Sequence, residues 1–121
     1  MIRLNIKEYM EAIKRTRPNL ENDFTNQLHM VIGASTESGE LLDAYKKKLA
    51  YNKDLDEINI GEEIGDIFWY LFNLCDYLGF EPEYLMWLNV RKLKIRFPDK
   101  FDEEKANNRD LLHERKILEG S

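Results

Sequence analysis

The sequence predicts an all-α protein, a bundle of four to five helices, on three observations. Apolar residues recur at intervals of three and four along most of the chain, the spacing that lines one side of a helix. Only three prolines and six glycines interrupt 121 residues, of which 34% are charged and 43% hydrophobic. Residues with capping chemistry stand where the periodic segments begin. A chain of this length can bury one core but not two, so residues 1–121 are expected to form a single domain, with its body at about 20–101 and a charged C-terminal extension over 102–121.

Asn5 and Glu8 have capping-box spacing, and Ile6, Met10 and Ile13 then follow at helical intervals until Arg17 and Pro18 intervene. A long second helix is expected from about Asp23 to Leu49, where Leu28, Val31, Ile32, Ser35, Leu42 and Leu49 share one side. The polar stretch from Ala50 to Asp56 is a connection. Asn59 and Glu62 then offer a cap for a third helix that reaches Leu78 and is closed by Gly79. Pro82 suits the first turn of a fourth helix ending near Arg96, before Pro98. Leu111, Leu112, Ile117 and Leu118 suggest a short, weakly held helix at the C-terminus.

Composition excludes several function classes. A net charge of −5 and a pI near 5.1 disfavour a nucleic-acid binder, which would show a basic face. No apolar run has the length of a membrane span, and the N-terminus carries Lys7 and Glu8 where a signal peptide would be apolar, so a cytoplasmic protein is expected. One cysteine and two histidines cannot build a usual structural zinc site, so any metal must be held by oxygen.

Glu37 and Glu40 stand three apart on the second helix, as do Glu63 and Asp66 on the third, and each pair therefore projects two carboxylates in one direction. Such spacings arise by chance among 23 acidic residues; Glu8 with Glu11 and Asp54 with Glu57 are assigned to solvated surface. The neighbours distinguish the first two pairs. On the third helix Ile60, Ile64, Ile67, Phe68, Leu71, Leu74, Cys75 and Leu78 form an aliphatic stripe, which is assigned to the core. Glu63, Asp66, Tyr70, Asn73 and the edge of Trp69 fall on another face, where acids alternate with aromatics instead of lysines. On the second helix Gly33 and Ala44 flank Glu37 and Glu40 by one turn, with His29 nearby, and these small residues permit a close approach. Four carboxylates gathered at helix contacts raise one another's pKa unless cations neutralise them, and hard divalent ions, magnesium first and manganese second, suit an all-oxygen set. Asn89, Lys92 and Arg96 form one line along the fourth helix, an amide and two cations of the kind that triphosphate oxygens need. Cys75, within the aliphatic stripe, is assigned to packing and not to nucleophilic chemistry.

Glu37-Ser-Gly-Glu40 followed by Glu63-Ile-Gly-Asp66 resembles the ExxE…ExxD signature of the MazG-like, all-α NTP pyrophosphatases, whose relatives include dimeric dUTPases and dCTP pyrophosphatases. The segment from His29 to Glu40, the run Asp66-Ile-Phe-Trp69-Tyr70-Leu, and Asn89-Val-Arg-Lys92-Leu-Lys-Ile-Arg96-Phe-Pro extend the likeness over residues 25–101. The resemblance implies that Glu37, Glu40, Glu63 and Asp66 bind metal, that Asn89, Lys92, Arg96 and Tyr70 approach phosphates or sugar, and that His29 and Trp69 wall the pocket. It also implies a homo-oligomer, dimer or tetramer, which long apolar helices in so short a chain support. A single copy of the motif set is present, whereas some family members carry two.

The activity so implied is hydrolysis of a (d)NTP to the (d)NMP and pyrophosphate with Mg2+, or Mn2+ in its place, with Glu37 or Glu40 accepting the proton of the attacking water. The P-loop run GxxxxGK[ST] is absent. A di-iron bundle would need Glu-x-x-His, but Asn26 and Asp110 precede His29 and His113. A non-catalytic helical nucleotide-binding or interaction module is the alternative; it leaves the acids among aromatics and the basic line on the fourth helix unexplained.

Overall fold

A computed structural model of the chain describes residues 3–120; Met1, Ile2 and Ser121, at the ends of the expected domain, lie outside the described residues. These residues form six helices, α1 (Ile6–Lys14), α2 (Asp23–Tyr51), α3 (Glu57–Leu78), α4 (Pro82–Arg96), α5 (Glu103–Asn107) and α6 (Leu111–Leu118), with no strand among the described residues. The fold class is all-α, as the sequence predicts. Two compact units divide it, Met1–Phe80 with α1 to α3 and Glu81–Ser121 with α4 to α6.

In the first unit the helix starts are set by side chains that satisfy free N–H groups. The Asn5 side chain accepts from the Glu8 N–H at 2.8 Å, and Asn22 accepts from Thr25 at 2.9 Å to begin α2. The third helix starts three residues earlier than the sequence suggests. Asp56, not Asn59, is its cap, because one Asp56 oxygen accepts from the N–H groups of both Ile58 and Asn59 and leaves Asn59 inside the first turn. Gly79, at φ 74°, closes α3 in the left-handed conformation that glycine tolerates.

The helices α2 and α3 form an antiparallel hairpin: Gly33 meets Tyr70 while Glu40 meets Glu63, so partner numbers fall on α3 as they rise on α2. The seam between them is not made by the aliphatic stripes. Asn26, Met30 and Gly33 are buried on α2, and Glu63 and Asn73 on α3, whereas Val31, Leu42 and Leu49 on α2 and Phe68, Leu71 and Leu78 on α3 are exposed. The expected core face of α3 is thus partly exposed, while the expected site face lies in the seam with α2. Periodicity tells which residues share a face but not which face turns inward; here the bare backbone of Gly33 seats the Tyr70 ring and turns the acid-bearing face of α3 toward α2.

Part of the apolar face of α3 is covered by α1, through an edge contact of Tyr9 with Phe72 at 5.6 Å between ring centroids and through the buried Ile13. Polar ties fix this packing. Arg17 donates from Nη1 to Asn73 Oδ1 at 3.2 Å and pairs with Asp76 at 2.7 Å, and Lys14 reaches the same Asp76 at 3.2 Å. Asn73, fully buried, also donates to the Trp69 carbonyl at 3.0 Å, so its amide is used at both ends.

In the second unit α4 packs on α6, with Pro82, Leu88 and Ile117 buried. Pro82 occupies the first turn of α4, where its missing N–H costs nothing. The C-terminal helix differs from the expected weakly held one. Leu111 and Leu112 are exposed, and α6 is held instead by Ile117 and by Glu114, whose carboxylate meets Arg96 at 2.7 Å and Arg109 at 3.0 Å. A single turn, α5, was not foreseen; Asp102 starts it by accepting from the Lys105 N–H.

Candidate active site

Helix α2 presents Glu37 and Glu40 one turn beyond Gly33, and α3 brings Glu63 and Asp66 to the same stretch of the seam. Oxygens of Glu37, Glu63 and Asp66 lie within 4.8 Å of one another, close enough to share one cation. Glu40 stands outside that set of three and is exposed, but it lies against Glu63. Three of the four expected ligands are therefore clustered, and the fourth borders them.

The electrostatics are those of a site short of positive charge. Glu63 is only 6% exposed, and its Oε2 is buried with no hydrogen-bond partner. The Glu37 carboxyl beside it, and after that its burial, push its pKa above the usual glutamate value. Glu40 is raised too, chiefly by Glu63 and more weakly by Asp66. A buried carboxylate oxygen without a donor, among like charges, is what a hard divalent cation would satisfy, so the residues fit such an ion.

Two clefts adjoin the cluster. One, of about 340 Å³, is lined by Thr16, Glu37, Asp66, Trp69 and Tyr70. The other, of about 990 Å³, is lined by Glu40 and Glu63 together with Asp43, Lys47, Lys53 and Asn59. In the first cleft the side chains hold one another. Trp69 Nε1 donates to Thr16 Oγ1 at 2.9 Å, the Trp69 ring meets the Tyr70 ring edge-on at 4.9 Å, and His29 meets the other side of Tyr70 at 6.0 Å. The His29 Nδ1 atom is buried without a partner. His29, Trp69 and Tyr70 are thus brought to the carboxylates. Thr16 was missed; it lies in the connection after α1, where no periodicity singles it out, and its partner is 53 residues away.

In the second unit Asn89 is exposed while Lys92 and Arg96 are half-buried on α4. Arg96 does not stand free: its Nη2 donates to Glu114, while its Nε is buried without a partner. Cys75 is half-buried on α3, and burial pushes its thiol pKa up, away from nucleophilic behaviour.

A family model, the MazG nucleotide pyrophosphohydrolase domain, matches residues 5–101. No curated protein and no solved structure gives a match. No helix among the described residues is long and apolar enough to cross a membrane.

Proposed function

The chain belongs to the MazG nucleotide pyrophosphohydrolase family, and from that premise we propose that it hydrolyses nucleoside triphosphates, (d)NTP to (d)NMP and pyrophosphate, with Mg2+ or Mn2+. The observation that carries this reading is the carboxylate trio Glu37, Glu63 and Asp66 at the α2–α3 seam, with the Glu63 oxygen left without a donor. Those three residues and Glu40 would hold the cation. A divalent ion there would offset the triphosphate charge and make a nearby water more acidic.

The chain's own groups have distinct tasks in this reading. Glu40, exposed and with its pKa raised, is suited to accept the proton of the attacking water, and Glu37 is the other candidate. Tyr70 and Trp69, fixed by Gly33, His29 and Thr16, wall a cleft of nucleoside size. Asn89, Lys92 and Arg96 bind phosphate oxygens. The exposed aliphatic faces of α2 and α3 support a homodimer or homotetramer, in which a second copy covers them. We assign the protein to the cytoplasm.

The test is an ion-exchange assay of products from a panel of NTPs and dNTPs, with Mg2+ and with EDTA. Monophosphate and pyrophosphate in equal amounts, only with metal, are expected. Undiminished turnover in EDTA overturns the reading.

A further inference from the structure

We propose that Glu114 is a positioning residue for Arg96, so that α6, outside the family-matched residues 5–101, is a working part of substrate binding. The proposal rests on Arg96 being a phosphate ligand, as inferred above. Glu114 is 2% exposed. Its Oε1 accepts from Arg96 Nη2 at 2.7 Å and from Arg109 Nη2 at 3.0 Å, and its Oε2 accepts from Arg109 Nε at 3.3 Å. Two guanidiniums share one carboxylate, so one positive charge is left over in the cluster. Arg96 is held through Nη2, its Nε–H is buried without an acceptor in the protein, and 16% of its side chain remains exposed, so that exposed part of the held guanidinium is what a phosphate would meet.

That division of labour is useful for binding an anion. A free arginine loses rotamer freedom when it meets a phosphate, whereas one already fixed by an internal carboxylate has lost it on folding. The same geometry argues against a latch that phosphate would displace. Removing Glu114 from two buried or half-buried cations leaves them without a counter-charge, which is strongly unfavourable. Arg109, the more exposed partner at 39% of its side chain against 16% for Arg96, covers the carboxylate from the other side and keeps it from solvent.

The test compares Glu114→Gln and the milder Glu114→Asp in the full chain. Three quantities are measured: KM and kcat for a Mg-nucleotide, thermal stability, and the 15N resonance of the Arg96 Nε–H. Glu114→Gln is expected to raise KM about tenfold with kcat changed by less than about twofold, and Glu114→Asp to lie between it and the wild type. In an Arg96→Lys background, Glu114→Gln should add no further change in KM. The resolved Arg96 Nε–H signal should move to the free-arginine position in Glu114→Gln. A lower melting temperature with KM and the Arg96 signal both unchanged overturns the proposal, because α6 would then be a structural cover only. If Glu114→Gln does not fold, wild-type KM in Glu114→Asp with a shifted Arg96 signal overturns it equally. An inactive wild type would overturn the hydrolase reading itself and with it the substrate-holding role, a failure visible before any variant is made.

Discussion

The ring of Tyr70 lies where a side chain on Gly33 would have to stand: a methyl group built on Gly33 overlaps the ring. The contact sets how closely α2 and α3 approach and therefore how near Glu37 comes to Asp66. Gly33→Ala is expected to destabilise by about 1 to 3 kcal/mol through overpacking and to lower kcat/KM at least tenfold by spreading the seam. Gly61→Ala, with nothing within 4 Å of the added carbon, should stabilise by roughly 0.5 to 1 kcal/mol, the helix preference of alanine over glycine. Chemical denaturation of both variants, alongside their kinetics, checks the pair.

The acids should separate chemistry from folding. Glu40→Gln and Asp66→Asn are expected to lower turnover by about a hundredfold or more while the protein stays folded, and Glu63→Gln should raise the melting temperature without metal, since it removes a charge crowded by Glu37 and Asp66. Melting curves with and without Mg2+ check this: the metal-induced rise should vanish in all three. Glu11→Gln, on the exposed side of α1, is the control and should match the wild type.

The docking of α6 should depend on acid. Arg109, and after it Arg96, hold the Glu114 carboxyl at about 2, below the ordinary value of 4.5. Because the folded value is the lower one, the stabilisation is complete above 4.5 and is lost as the pH falls through about 2. The protection of α6 amides against exchange, taken relative to the intrinsic rate at each pH, should fall across that window in the wild type. Glu114→Gln, which has no proton to take up there, should show protection that is already low at pH 5 and stays low on acidification.

Self-association should be sensitive to charge on the exposed apolar face. Leu42 and Leu71 flank a shallow cleft with Ile67, and both leucines are solvent-exposed in the single chain. Sedimentation is expected to give a dimer or tetramer at micromolar concentration, and Leu71→Glu or Leu42→Glu should shift it towards monomer. A wild type that sediments as a monomer at that concentration would remove the assembly from the functional reading.

Much of this architecture was legible in the residues. The starts of α1 and α4 follow from Asn5 and Pro82, because caps and prolines act over three or four residues. The carboxylate pairs were legible for the same reason, since a three-residue spacing fixes a shared direction. What was not legible depends on distant partners. The inward face of α3 is decided by Gly33, more than thirty residues away; Thr16 becomes part of a cleft only through Trp69; and the burial of Glu114 follows from Arg96, 18 residues earlier. Asp56 outcompeted Asn59 as a cap because its carboxylate reaches two N–H groups at once.

Asn73 has a consequence of another kind. Smooth aliphatic faces can slide past one another by a turn at little cost, and a helix docked through them needs a directional contact to fix its alignment. The Asn73 amide admits one alignment: slipping α3 by about 5 Å, one turn, would strip it of the Arg17 guanidinium and draw Asp76 away from Lys14 and Arg17 in the same movement. Asn73 is thus a vernier for the docking of α3 against α1 and the segment after it, spending some cohesion to select a single alignment. Asn73→Leu should give a unit that is as hard to melt or harder, yet one in which neighbouring alignments of α3 coexist and broaden its backbone resonances.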